Sequence, residues 1–310
     1  MINKLTLESN AKDKNNNHKS GVALVLGGGG ARGFAHLGVI KALQHADLTP
    51  DLIVGTSMGA VIGAAAAGKV NTDDLIKILE RLDINQILQI SRESRRELEK
   101  IIGKTLAQGI GVNRWTASES GRTPVKLARF FTFFKLLTKD SWVKDLPIDY
   151  AAIATDLVTG KEVIINEGKV YRAAAASSAI PGFIPPVKWK NHLLVDGGVV
   201  DPVPILPAIQ FGAESVLAVD VGTNLSKDPK NNPLDTFNRT NKIRKKELLN
   251  TKNTIATEKL EGKLEVIKPK VAKLNWLDFN KVKEASTLGE ECMEKHFEDV
   301  RKLFQSIGNT

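Results

Sequence analysis

Gly55-Thr56-Ser57-Met58-Gly59 sets a serine between two glycines in the spacing G-x-S-x-G. A serine in that pattern can be an acyl-transfer nucleophile. It sits on a sharp strand-to-helix turn, its hydroxyl stands clear of the chain, and the N–H groups after it lie at a helix N-terminus. The flanks agree: residues 51–54 (Asp-Leu-Ile-Val) read as a short apolar strand, and the small residues of 60–67 read as a tightly packed helix. Side chains in place of the glycines would block the approach of strand, turn and helix.

Gly28-Gly29-Gly30-Ala31-Arg32-Gly33 is a second chemical candidate, since it satisfies G-x-G-x-x-G between a strand and a helix. A dinucleotide site also needs an acidic residue about 20 positions on, at the end of the second strand. Asp47 and Asp51 lie near that distance, but the second strand ends in Gly55-Thr56-Ser57. A P-loop fails because no G-K-[ST] follows. Beside a serine nucleophile the loop has a different use. Its backbone N–H groups can face the oxygen that turns negative in a tetrahedral intermediate, and losing one such donor costs ~3–4 kcal/mol of barrier. Arg32 could add positive charge near a phosphate or the oxyanion; a surface arginine at a helix start is an equal reading.

A serine hydroxyl needs a base. His18 lies in a polar leader, and His36 and His45 fall on the first helix in packing or surface positions. His296 stands beside Glu294 and Lys295 on a solvent-facing helix, although it alone follows Asp196 in the order Ser, Asp, His. His192 is too close to Asp196 and lies in an edge-like strand. No histidine qualifies, which leaves Asp196-Gly197-Gly198 at the end of that strand. The aspartate reads either as an ordinary Asp-Gly turn residue or as a carboxylate that takes the Ser57 proton directly, which requires the oxygens to be ~2.6–3.2 Å apart.

The elements that must carry these residues alternate between strand and helix. Residues 21–26 read as a first buried strand. Residues 34–46 read as a helix with an apolar stripe, and Asn71 caps a helix carrying Leu75, Ile76, Ile78, Leu79 and Leu82. Residues 148–154 and 161–165 read as a hairpin around 156–160, residues 171–178 as a short helix, and 192–195, 216–221 and 264–267 as strands. A terminal helix is expected over 280–304. This pattern implies an α/β fold with a largely parallel central sheet and helices on both faces. Residues 1–20 read as a disordered polar tail, 21–223 as the catalytic core with 91–145 a cap or insertion, and 224–310 as a basic C-terminal extension packing on that core. Phe130-Phe131-Thr132-Phe133-Phe134 in the cap reads either as a buried helix face or as an interfacial anchor.

The net charge of +9 is concentrated late in the chain: residues 226–273 carry 13 Lys/Arg against 6 Asp/Glu, with Lys242, Arg244, Lys245 and Lys246 the densest part. A solvated helix face explains this, as does adhesion to an anionic membrane, at ~1 kcal/mol per basic residue. Aromatic residues are 5% of the chain and do not interleave with the basic ones, so nucleic acid is not an expected partner. Cys292 stands alone, which excludes an internal disulfide and fits a reducing compartment. Residues 1–20 lack an apolar core, so no secretory signal is read there. The expected location is cytoplasmic with peripheral contact at the inner membrane face, export without a cleavable signal remaining open.

In their order and spacing, the glycine loop, Gly55-Thr56-Ser57-Met58-Gly59 and Asp196-Gly197-Gly198 resemble the patatin-like phospholipase family. Ala154-Thr155-Asp156, the run from Ala179 to Pro186, Pro202-Val203-Pro204, Gly212-Ala213-Glu214 and Trp276-Leu277-Asp278-Phe279 resemble its bacterial branch related to neuropathy target esterase. The resemblance implies a single patatin-like three-layer α/β/α domain with a Ser–Asp dyad and no histidine. On this chain Ser57 is then the nucleophile and Asp196 the base; Gly28, Gly29 and Gly30 with the N–H of Met58 form the oxyanion hole, and Arg32 contacts substrate. It further implies hydrolysis of phospholipids or lysophospholipids without cofactor or calcium. Ile184 departs from the phenylalanine common at that position, and residues 113–142 match least. The competing expectations are a catalytically weak lipid-binding or regulatory protein of the same fold and a dinucleotide-binding oxidoreductase.

Overall fold

The computed structural model describes residues 21–82, 84, 127–138, 140–222, 225 and 233–305. The expected polar tail and most of the cap segment lie outside the described residues.

Short apolar runs form an eight-stranded sheet: β1 (Val22–Leu26), β2 (Leu52–Thr56), β3 (Asp149–Asp156), β4 (Glu162–Ile165), β5 (Val187–Trp189), β6 (His192–Asp196), β7 (Ser215–Val219) and β8 (Leu264–Ile267). The hydrogen-bonded path is β5-β6-β3-β2-β1-β7-β8, with β4 added to β3. The pairs β3–β2, β2–β1, β1–β7 and β7–β8 are parallel, whereas β4 and β6 run antiparallel to β3, and β5 antiparallel to β6. β1 and β7 are buried along their whole length, as central parallel strands covered on both faces must be.

The register on β3 positions the site. Ala152 and Ile153 face β2 on one edge and β4 on the other; Ala154 and Thr155 face β6 and β4. β2 and β6 therefore share one edge of β3, arriving from opposite directions. Thr56 lies opposite Ile153, and Asp196 lies opposite the next residue, Ala154. The C-terminal ends of the two strands abut.

Helices cover both faces: α1 (Ala35–His45), α2 (Met58–Ala67), α3 (Thr72–Arg81), α4 (Leu127–Thr138), α5 (Val170–Ser177), α6 (Ile205–Gln210), α7 (Pro233–Leu260) and α8 (Val282–Gln305). Alternation along β1 sorts the core into two layers. Val22, Leu24 and Leu26 join a cluster with residues of α1, α2, α5 and α8, while Ala23 and Val25 join Ile205 and Ala208 of α6 and Ala256 and Leu260 of α7. This is a three-layer α/β/α arrangement. Asn71 caps α3 as its position suggests, its Oδ1 accepting from the Asp74 N–H at 3.0 Å.

One reading of the sequence is corrected. His192–Asp196 is not an edge strand, because β5 pairs with its outer side; Pro185-Pro186 directly before β5 masks that three-residue strand. The basic stretch contains a 28-residue helix, α7, whose inward face includes a lysine and so shows no continuous apolar stripe.

Candidate active site

β2 ends at Thr56 and α2 begins at Met58, so Ser57 alone makes the corner. Its backbone (φ 55°, ψ −124°) occupies a region that residues with a side chain seldom adopt, a strain of about 1–3 kcal/mol. Several bonds hold it there. The Ser57 N–H donates to Ser177 Oγ at 2.8 Å, and the Ser57 carbonyl accepts from Ala60 N–H at 2.9 Å and Val61 N–H at 3.1 Å. Ser177 Oγ donates in turn to the Ile153 carbonyl at 2.5 Å, tying the corner to β3. Gly59 lets the corner close on β1: a Cβ there would fall 2.0 Å from the Leu26 carbonyl oxygen.

The abutting strand ends bring Asp196 to this serine. Ser57 Oγ donates to Asp196 Oδ2 at 2.6 Å, and Asp196 Oδ1 accepts from Gly198 N–H at 2.7 Å. The carboxyl is pushed above the usual carboxylate range by burial, against the pull of the Ser57 and Gly198 bonds and the Lys245 charge. A carboxylate buried in this way takes up a proton more readily than an exposed aspartate.

The glycine loop passes beside the corner. A Cβ on Gly28 would lie 3.2 Å from Ser57 Cβ, so the missing side chain leaves room for the hydroxyl. The Gly28 N–H, expected as an oxyanion donor, instead donates to the Pro202 carbonyl at 2.9 Å. That bond withdraws it, because the Pro202 segment follows directly on the Asp196 turn. Among the described residues the N–H groups of Gly29, Gly30 and Met58 have no partner. Gly30 is left-handed (φ 58°), and a Cβ there would strike the Trp276 carbonyl oxygen at 2.3 Å. Arg32 Nε donates to the Gly29 carbonyl at 3.2 Å, bracing the loop. Burial lowers the Arg32 pKa, with Asp220 opposing.

The described histidines are engaged elsewhere. His36 is fully buried, and its Nε2–H donates to the Gly27 carbonyl at 2.7 Å. Burial pulls its pKa down to about 4, so it is neutral at physiological pH. His192 pairs with Asp156 at 3.1 Å and His296 with Glu265 at 2.8 Å, while His45 is exposed.

From Ser57 a narrow apolar cavity leads inward, with roughly 690 Å³ of empty space counted to its open mouth. Gly30, Ser57 and Met58 stand with walls supplied by Phe34, Ile62, Leu79, Phe134, Leu137, Phe183, Ile184 and Phe279. Phe134, one of the clustered phenylalanines, is buried there, and Phe131 packs edge-on to Tyr171 at 5.9 Å. For these two residues the buried-face reading holds.

On the other side of the sheet, Asp201 is completely buried beneath the Asp196 turn. Lys252 of α7 lies 2.6 Å from Asp201 Oδ2 and 3.0 Å from Glu162 Oε2. Burial and the neighbouring Glu162 raise the Asp201 pKa, opposed by Lys252. Thr56 Oγ1 donates to the Asp201 carbonyl at 2.9 Å. Nothing in the sequence singles out Ser177, Asp201 or Lys252; only their long-range pairing reveals them, while Lys245 stands out there only as part of the basic run.

Residues 24–209 match the family model described as patatin-like phospholipase. Over 210 residues the chain is 32% identical to patatin-like phospholipase domain-containing protein 6 of Mus musculus, covering 67% of this chain and 14% of that protein. It is 35% identical over 201 residues to an uncharacterized NTE family protein of Mycobacterium tuberculosis, covering 64% of this chain and 49% of the other. To neuropathy target esterase sws of Drosophila melanogaster it is 32% identical over 209 residues, 67% of this chain and 13% of that one. The match thus spans half or less of each relative.

Proposed function

This chain belongs to the patatin-like phospholipase family, and from that premise we propose that it hydrolyses acyl esters of phospholipids or lysophospholipids through Ser57 and Asp196. The observation that carries the reading is the 2.6 Å contact of Ser57 Oγ with Asp196 Oδ2 beside an apolar cavity that Ser57 helps to line.

The acyl chain enters the cavity and sets its carbonyl carbon against Ser57 Oγ. Asp196 Oδ2 takes the hydroxyl proton as Oγ attacks. The oxygen that becomes negative turns to the N–H groups of Gly29, Gly30 and Met58, each such donor contributing ~3–4 kcal/mol to the barrier reduction. Collapse expels the alcohol of the lipid, which leaves with the proton from Asp196, and an acyl-Ser57 ester remains. Asp196 then deprotonates a water that attacks this ester, releasing the fatty acid and restoring Ser57.

The reading also places the protein at an anionic membrane surface. Phe237 and Ile243 are exposed on α7 beside Lys242, Arg244 and Lys246, an apolar-and-basic combination suited to headgroups. Among the described residues no helix is long and apolar enough to cross a membrane.

A fluorophosphonate probe combined with lipid hydrolysis tests the reading. The wild type should be labelled at Ser57 and release fatty acid, and Ser57→Ala should do neither. A well-folded wild type that neither labels nor hydrolyses would support the catalytically weak lipid-binding alternative.

A further inference from the structure

Lys245, Leu249, Lys252, Ala256 and Leu260 recur at i, i+4, i+7, i+11 and i+15, which puts them on one face of α7. Ala256 and Leu260 are buried against the sheet, Leu249 packs on the same cluster, and Lys252 is pinned by Asp201 and Glu162. So anchored, this face carries Lys245 to the dyad, two turns before Lys252. A Cβ on Gly198 would lie 3.9 Å from Lys245 Nζ, and Gly198 N–H is the donor to Asp196 Oδ1. The Lys245 charge favours the ionised Asp196. Unlike Lys252, Lys245 has no hydrogen-bond or ion-pair partner among the described residues and is exposed to solvent.

The reacting centre thus meets an apolar cavity and an ammonium whose donors are uncommitted. A substrate matched to both has a hydrocarbon chain on one side of its ester and an anion a few bonds away on the other. In a glycerophospholipid only the glycerol carbons separate the ester from the phosphate. We propose that Lys245 binds the phosphate diester of the lipid headgroup and sets the preference for phospholipids over neutral glycerides. This rests on the acyl-ester hydrolase reading above and adds the charge of the leaving alcohol.

The test compares octanoyl lysophosphatidylcholine with octanoyl glycerol, both kept monomeric at one ionic strength so that no charged interface contributes. The readout is the ratio of kcat/KM for the phosphate-bearing ester to that for the neutral one. Lys245→Gln should lower this ratio about five- to tenfold, mainly through KM, the size expected for one charge-assisted hydrogen bond at a wet site. Lys245→Arg should restore it to within about twofold of wild type. Lys259→Gln, fourteen residues on and about 21 Å further along the same helix, should leave it unchanged. Equal losses on both esters in Lys245→Gln would overturn the proposal, because Lys245 would then act only through Asp196. Inhibition by inorganic phosphate that disappears in Lys245→Gln while the ratio stays fixed would also overturn it, assigning the site to a free anion. A wild type inactive on both esters would instead overturn the hydrolase reading, and this proposal with it.

Discussion

The Ser57 N–H donates to Ser177 Oγ across 120 residues of sequence, at 2.8 Å. Ser177 Oγ–H donates in turn to the Ile153 carbonyl, so one buried hydroxyl clamps the strained corner to the neighbouring strand. Ser177→Ala should cost about 1–3 kcal/mol of stability, the penalty for leaving a buried donor unpaired. The fluorophosphonate should label Ser57 more slowly in this variant yet reach completion. Thermal melting and the labelling time course check both parts, and an unchanged labelling rate would reduce Ser177 to packing.

Removing the Asp196 charge should abolish activity without weakening the fold. Asp196→Asn is expected to lower ester hydrolysis about 10²–10⁴-fold, the range for losing a positioned general base. Burial raises the Asp196 pKa in the folded chain, so the folded form binds this proton more tightly than the unfolded one. The associated stability is complete below the unfolded pKa and is lost as pH rises through the folded pKa. Asp196→Asn removes that loss, so its melting temperature should gain on the wild type as pH rises across this interval. Melting curves at several pH values decide the sign.

The pH profile of the wild type follows from the same shift. Only the ionised carboxylate accepts the Ser57 proton, so kcat/KM on a neutral soluble ester should rise with pH along a limb above the ordinary carboxylate range. A limb centred at the ordinary value of an exposed aspartate would show that burial does not tune this base.

Lys252 joins α7 to the buried Asp201 and to Glu162. Lys252→Met would leave the carboxylates without their cation. It should cost about 2–3 kcal/mol, toward the low side of values for broken buried pairs because Lys252 and Glu162 keep some exposure. Chemical denaturation measures this, and a double variant with Asp201→Asn should recover part of the loss.

Ile184 lines the apolar cavity beside Phe183. Ile184→Phe would narrow the cavity, and each methylene excluded from burial forfeits about 0.8 kcal/mol. The preference among p-nitrophenyl esters should therefore move several-fold toward shorter chains. A preserved chain-length profile would place the acyl chain elsewhere.

The proximity of Ser57 and Asp196 was legible because each stands at the C-terminal end of a short strand in a spacing tied to local geometry. β1 and β7 were legible as strands because two-sided burial demands continuous apolar runs. What escaped depended on distant partners. Nothing near Gly28 announces that its N–H will be taken by the Pro202 carbonyl, and Ser177 lies in a run of alanines and serines with no pattern to mark it. The inward face of α7 escaped because Lys252 occupies a position where a helix packed on a sheet usually carries an apolar residue.

The abutment of β2 and β6 on one edge of β3 has a consequence for how the protein comes into being. Ser57 leaves the ribosome 139 residues before Asp196, and until β6 has docked against β3 its hydroxyl has no Asp196 carboxylate to donate to. α7, which carries Lys245 and locks Asp201, emerges later still. In a nascent or truncated chain Ser57 therefore stands without its carboxylate neighbour, and the pair is assembled only when the last layers of the fold close over the sheet.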